Sequence, residues 1–153
     1  MEIPYDLLLK KAAAYSSKQE VCSADIGAKL QLWGADADQT EEIVLYLIEQ
    51  KYIDNERFCR AFMNDKLRFN KWGKLKITQA LRMKQIPDRM LDRVFSEMDV
   101  SLYEQTLSEL LRKKVREIKA ASDYERRGKL LNFALQRGFE YAVAEQLIKK
   151  MNL

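Results

Sequence analysis

Residues 54–86 read DNERFCRAFMNDKLRFNKWGKLKITQALRMKQI, and this stretch decides the fold. Phe58, Phe62, Leu67, Phe69, Trp72, Leu75, Ile77 and Leu81 run through it at largely helical spacings, which predicts a folded helical element with one oily and one charged side. Between Lys66 and Pro87 stand seven basic residues (Lys66, Arg68, Lys71, Lys74, Lys76, Arg82 and Lys84) and no Asp or Glu, so nothing local neutralises them. Such a surface is expected to meet something anionic.

The rest of the chain extends the helical reading. Its 153 residues include only two Pro and five Gly, and the apolar residues follow the 3.6 period rather than alternating, which predicts an all-α protein. Three places where a helical run stops and restarts, LQLWGAD, LRMKQIPD and ALQRGFE, can be set in register on Ala35, Ile86 and Phe139. Nine residues upstream then sit Ile26, Ile77 and Leu130, and five upstream Leu30, Leu81 and Ala134. Downstream, Ile43, Val44 and Leu47 line up with Val94, Phe95 and Met98 and with Leu147, Ile148 and Met151. Gly34 and Gly138 each precede the anchor, where a left-handed residue ends a helix, and Gln85 takes that place in the middle copy. The offsets of 51 and 53 residues leave room for three helices per copy. The expected architecture is an elongated, curved array of three tandem three-helix units spanning residues 1–53, 54–99 and 100–153. Expected helix starts are Ser23, Asp38 with Glu41, Asp54, Pro87, Ser101 with Glu104, and Ser122 with Glu125.

Charge is shared unevenly. The first unit holds five basic and nine acidic side chains, and each of the others eleven basic and seven acidic. An acidic end beside a basic body suits a protein target that is itself complexed with nucleic acid. The expected basic face comprises Arg57, Arg60, Lys66, Arg68, Lys71, Lys74, Lys76, Arg82 and Lys84, and a secondary cluster comprises Arg112, Lys113, Lys114, Arg116, Arg126 and Arg127. Arg126, Arg127 and Lys129 are expected at a helix start, where their charge opposes the dipole. Phe69 and Trp72 are candidates for stacking on bases, with packing the commoner fate of a tryptophan beside a glycine.

No enzyme is expected. The chain has no His, and Cys22 and Cys59 stand far apart without a CxxC, so neither a metal site nor a cofactor is predicted. Asp54 and Glu56 read as a helix cap and a first-turn acid rather than a metal pair, and Ser16-Ser17-Lys18 as a helix exit rather than a nucleophile. Neither a leader nor a membrane span is predicted, and the expectation is a cytoplasmic monomer.

At Tyr52-Ile53-Asp54-Asn55-Glu56-Arg57-Phe58, followed by Trp72-Gly73, Ile77, Leu81-Arg82 and Lys84-Gln85-Ile86, the chain resembles the RecX family of bacterial recombinase regulators. It departs from the family pattern at Asn55, where a second aspartate is usual, and at Gln85, where glycine is. The resemblance implies a crescent of three-helix modules lying in the groove of a RecA filament on DNA. It also implies inhibition of recombinase, ATPase and coprotease activities without chemistry of its own. The competing expectation is a stand-alone DNA-binding module of helix-turn-helix type.

Overall fold

The structure, a computed structural model, describes residues 4–153. Among the described residues there are nine α-helices and no strand. They are α1 (Tyr5–Lys18), α2 (Ser23–Leu32), α3 (Ala37–Glu49), α4 (Asn55–Asp65), α5 (Lys74–Met83), α6 (Asp88–Ser96), α7 (Val100–Val115), α8 (Asp123–Gln136) and α9 (Tyr141–Lys149). A π-helical turn, Lys66–Asn70, continues α4.

The repeat is visible in individual hydrogen bonds. The anchors Ala35, Ile86 and Phe139 each donate their N–H to the carbonyl five residues back, on Leu30 (2.9 Å), Leu81 (3.2 Å) and Ala134 (3.1 Å). The residue before each anchor is left-handed, with φ of 99° at Gly34, 63° at Gln85 and 94° at Gly138. This is the Schellman arrangement, in which a left-handed residue lets the next N–H reach a carbonyl the helix leaves unpaired. The anchors and the residues nine and five positions upstream are buried in all three copies. Glutamine performs in the middle copy what glycine performs in the others, at the steric cost of a Cβ in the left-handed region. Gln85→Gly is therefore expected to raise stability by about 1 kcal/mol, measured by chemical denaturation; a fall of that size would contradict the strain.

Three apolar cores follow the helices. Leu8, Ile26, Leu30, Ile43 and Leu47 fill the first; Phe58, Met63, Ile77, Leu81 and Phe95 the second; Tyr103, Leu107, Leu111, Leu130 and Phe139 the third. Two buried side chains cross over. Cys22, at the entry to α2, lies in the second core, and Leu67, on the π-turn, lies in the third. Both cysteines are free thiols buried in the second core, where burial pushes the Cys59 thiol up to about 11.

Several helix starts differ from expectation, by a shift of one or two residues. The capping box of α3 is Asp36 with Gln39 (2.8 and 3.1 Å), not Asp38 with Glu41. Asp99, not Ser101, caps α7 by accepting from Leu102 N (3.1 Å). Ser23 is the first residue of α2, not its cap, and Pro87 stands just before α6. Asp54 and Ser122 do cap α4 and α8, at 3.0 and 3.1 Å, while Glu125 reaches Ala121 N rather than the cap's own N–H. Where two polar residues lie within a turn of one another, either can cap, and the path of the incoming chain selects between them.

Candidate nucleic-acid interface

The middle unit is joined differently on its two sides, and the joints determine which of its cations are free. Toward the first unit the contacts are mainly polar side chains. Asn55 accepts from Ser23 N and donates to Ser23 Oγ, both at 2.9 Å. Glu20 accepts from Arg57 Nε through both oxygens (2.7 and 3.0 Å), and Asp25 accepts from Lys84 Nζ (2.8 Å). An amide at position 55 thus serves as acceptor and donor at once.

Toward the third unit the joint is backbone against backbone. Gly73 N donates to Arg137 O (2.7 Å) and Leu75 N to Gly138 O (2.9 Å), while Lys74 N donates to the Tyr103 hydroxyl (2.9 Å). The N–H groups at the start of α5, which no helix can satisfy internally, are thus capped by Tyr103 of α7 and by the corner between α8 and α9. Tyr103 in turn donates to Glu140, and burial together with that carboxylate drives its phenol well above the usual range, so the hydroxyl keeps its proton. Gly73 has an ordinary φ of −83°, so its glycine is a matter of space. A Cβ there would stand 2.3 Å from Phe139 N and 2.4 Å from the Gly138 carbonyl carbon.

The nine expected basic-face residues divide into two sets. Arg57, Arg60, Arg82 and Lys84 are held by carboxylates on Glu20, Glu97, Asp88 and Asp25 at 2.6–3.0 Å. The expectation that nothing neutralises the stretch fails for Arg82 and Lys84. Two partners in this set, Glu20 and Asp25, belong to the acidic first unit, so part of its negative charge is spent inside the molecule. Lys66, Arg68, Lys71, Lys74 and Lys76 have no carboxylate within ion-pair distance among the described residues. Lys66 and Lys76 both lie on the Trp72 ring (4.8 and 4.9 Å), and Lys74 lies on Phe95 (5.2 Å). Trp72 itself packs against the second core and Phe62.

The oily side of the stretch is also narrower than its spacing suggests. Leu75 is exposed, and Phe69 is 78% exposed on the π-turn between Arg68 and Lys71.

The secondary cluster is more mixed. Lys114 bridges to Glu117 (3.6 Å) and Arg126 to Asp123 (2.9 Å), whereas Arg112, Lys113, Arg116 and Arg127 have no such partner among the described residues. The opposition of charge and dipole expected at α8 is relieved by Asp123 and Glu125 in its first turn. It is found instead at α5, whose first turn holds Lys74 and Lys76 and no acid. The hydroxyls of Ser16 and Ser17 donate to carbonyls of their own helix, on Ala12 (2.8 Å) and Ala14 (2.9 Å), which is a structural use. Among the described residues no group of His, Cys, Asp or Glu could hold a metal ion, and no helix is long and apolar enough to cross a membrane.

Sequence reasoning missed the Gly73–Gly138 joint and the parts played in it by Tyr103 and Arg137. The one local hint was a glycine directly before a helix that carries no capping side chain.

Fold and site together define a class of protein, a tandem array of three-helix units with a cationic patch anchored at the joint of the second and third. Comparison with known proteins gives the class its family: the description "RecX, second three-helix domain" matches residues 54–94, and "RecX, third three-helix domain" matches residues 103–148, together more than half of the chain. The chain belongs to the RecX family of regulatory proteins. It is 26% identical over 147 residues to the regulatory protein RecX of Chlorobium limicola, covering 92% of this chain and 89% of that one. With the RecX of Clostridium botulinum strain Eklund 17B it shares 26% identity over 124 residues, 80% of this chain and 58% of the relative's length. The crystal structure of RecX from Lactobacillus salivarius superposes with a TM-score of 0.86 over 95% of each chain at 19% identity, a likeness of fold.

Proposed function

We propose that this protein binds the RecA nucleoprotein filament and inhibits its recombinase, ATPase and coprotease activities. In this reading the modules are residues 1–53, 54–99 and 100–153, and the protein acts as a cytoplasmic monomer without catalysis of its own. The observation that carries it is the set of five cations, Lys66, Arg68, Lys71, Lys74 and Lys76, left without carboxylates beside a joint built from backbone. Like charges gathered without partners disfavour the folded state unless something anionic meets them. The DNA in a filament supplies phosphates, and the family is one of regulators.

The test is the DNA-dependent ATP hydrolysis of RecA with this protein added at substoichiometric amounts. The rate should fall, and more steeply than competition for free DNA would allow. Tight binding to naked DNA with no effect on that rate would overturn the reading in favour of a stand-alone DNA-binding module.

A further inference from the structure

Helical periodicity assigns Phe69 to the core. It lies seven residues after Phe62 and eleven after Phe58, which on a continuous α-helix is within roughly 20° of each. Phe58 is buried and Phe62 half-buried against the second core, yet Phe69 is 78% exposed. The cause is the π-helical turn Lys66–Asn70, whose wider winding rotates the chain off the α register. Leu67 is thereby delivered into the third core while Phe69, two residues on, faces water.

The display is fixed rather than frayed. Lys71 N and Trp72 N both close on Lys66 O, Lys71 is left-handed with φ 57°, and Arg137 Nη1 of the third unit donates to Asn70 O (3.1 Å). π-turns and left-handed non-glycine residues concentrate where a fold accepts local cost for function. Of the two aromatics in the basic stretch, Trp72 already carries Lys66 and Lys76 on its ring, while Phe69 has no aromatic or cationic partner among the described residues. Arg68 and Lys71 flank it without carboxylates.

We propose that Phe69 is a stacking platform for an unpaired base of single-stranded DNA, with Arg68 and Lys71 taking the adjoining phosphates. An aromatic ring set between cations matches a ligand that alternates flat π-faces with anions; a protein partner would call for a wider apolar surround. The inference deepens the function proposed above and rests on it only in that DNA meets this face.

The experiment uses the full chain without RecA. Its affinity is measured for a short deoxythymidine single strand and for a strand of equal length built of abasic sites, equal in charge but lacking π-faces. The wild type should prefer the base-bearing strand by about tenfold. Phe69→Leu should abolish that preference and leave abasic binding unchanged, and Phe69→Trp should restore it. Because the side chain is solvated, the melting temperature reports independently that the leucine variant folds. Equal affinities of the wild type for the two strands, or a preference that survives in Phe69→Leu, would overturn the platform. So would a Phe69→Leu variant that keeps the base preference but loses suppression of RecA ATP hydrolysis, since that assigns the ring to a protein pocket. Failure of the wild type to suppress that hydrolysis sinks the filament reading alone.

Discussion

Gly73→Ala is expected to destabilise the protein by about 4 kcal/mol. The added methyl would meet the peptide between Gly138 and Phe139 at 2.3–2.5 Å, against backbone atoms that no rotamer change can move aside. To make room, the α8–α9 corner must retreat, and the bonds from Gly73 N and Leu75 N to Arg137 O and Gly138 O are lost with it. For a chain of this size the melting temperature should fall by roughly 10 °C. Gly128→Ala is the matched control. It lies mid-helix in α8 with nothing within 4 Å of the new Cβ, so helix propensity alone operates and stability should rise by about 1 kcal/mol. A Gly73→Ala protein that melts with the wild type would mean the second and third units are not in backbone contact.

Reversing charge at Arg68, Lys74 and Lys76 together (Arg68→Glu, Lys74→Glu, Lys76→Glu) is expected to weaken filament or DNA binding by ~100-fold at low salt and to lower the salt slope by about 3. Stability should barely change. Acids in the first turn of α5 interact favourably with the helix dipole by about 0.3–1 kcal/mol each. That offsets the loss of the Lys74 and Lys76 contacts with Phe95 and Trp72, about 0.5–1 kcal/mol each at partly exposed sites. Lys84 is the instructive contrast. It is saturated by Asp25 of the first unit, so Lys84→Glu places two acids together at a joint and reports on unit packing rather than ligand affinity. Titration under varied salt, alongside thermal melts, separates the two. Unchanged binding by the triple variant would remove the cationic patch from the interface.

Much of the site was legible in the stretch between Lys66 and Lys84, because charge is a property of residues and survives folding. What could not be read was its subdivision. Whether a basic side chain is free depends on acids such as Asp25, which reaches Lys84 from 59 positions away, just as Glu20 reaches Arg57 from 37. Phe69 reads from sequence both as part of the oily run and as a stacking candidate; its spacing from Phe58 and Phe62 is that of a core residue, and the π-turn, fastened to Arg137 from 67 positions away, takes it out.

By itself the sequence determined the helices, their threefold repetition and the left-handed stops at Gly34, Gln85 and Gly138. Each of these is settled within a few turns of chain, by apolar period and by carbonyls that the next N–H can reach. Tertiary structure decided which cations stay unpaired, which aromatic faces water, and why residue 73 must lack a side chain. These depend on atoms brought together from distant segments, where burial and Coulomb energy are set by what arrives rather than by what is adjacent.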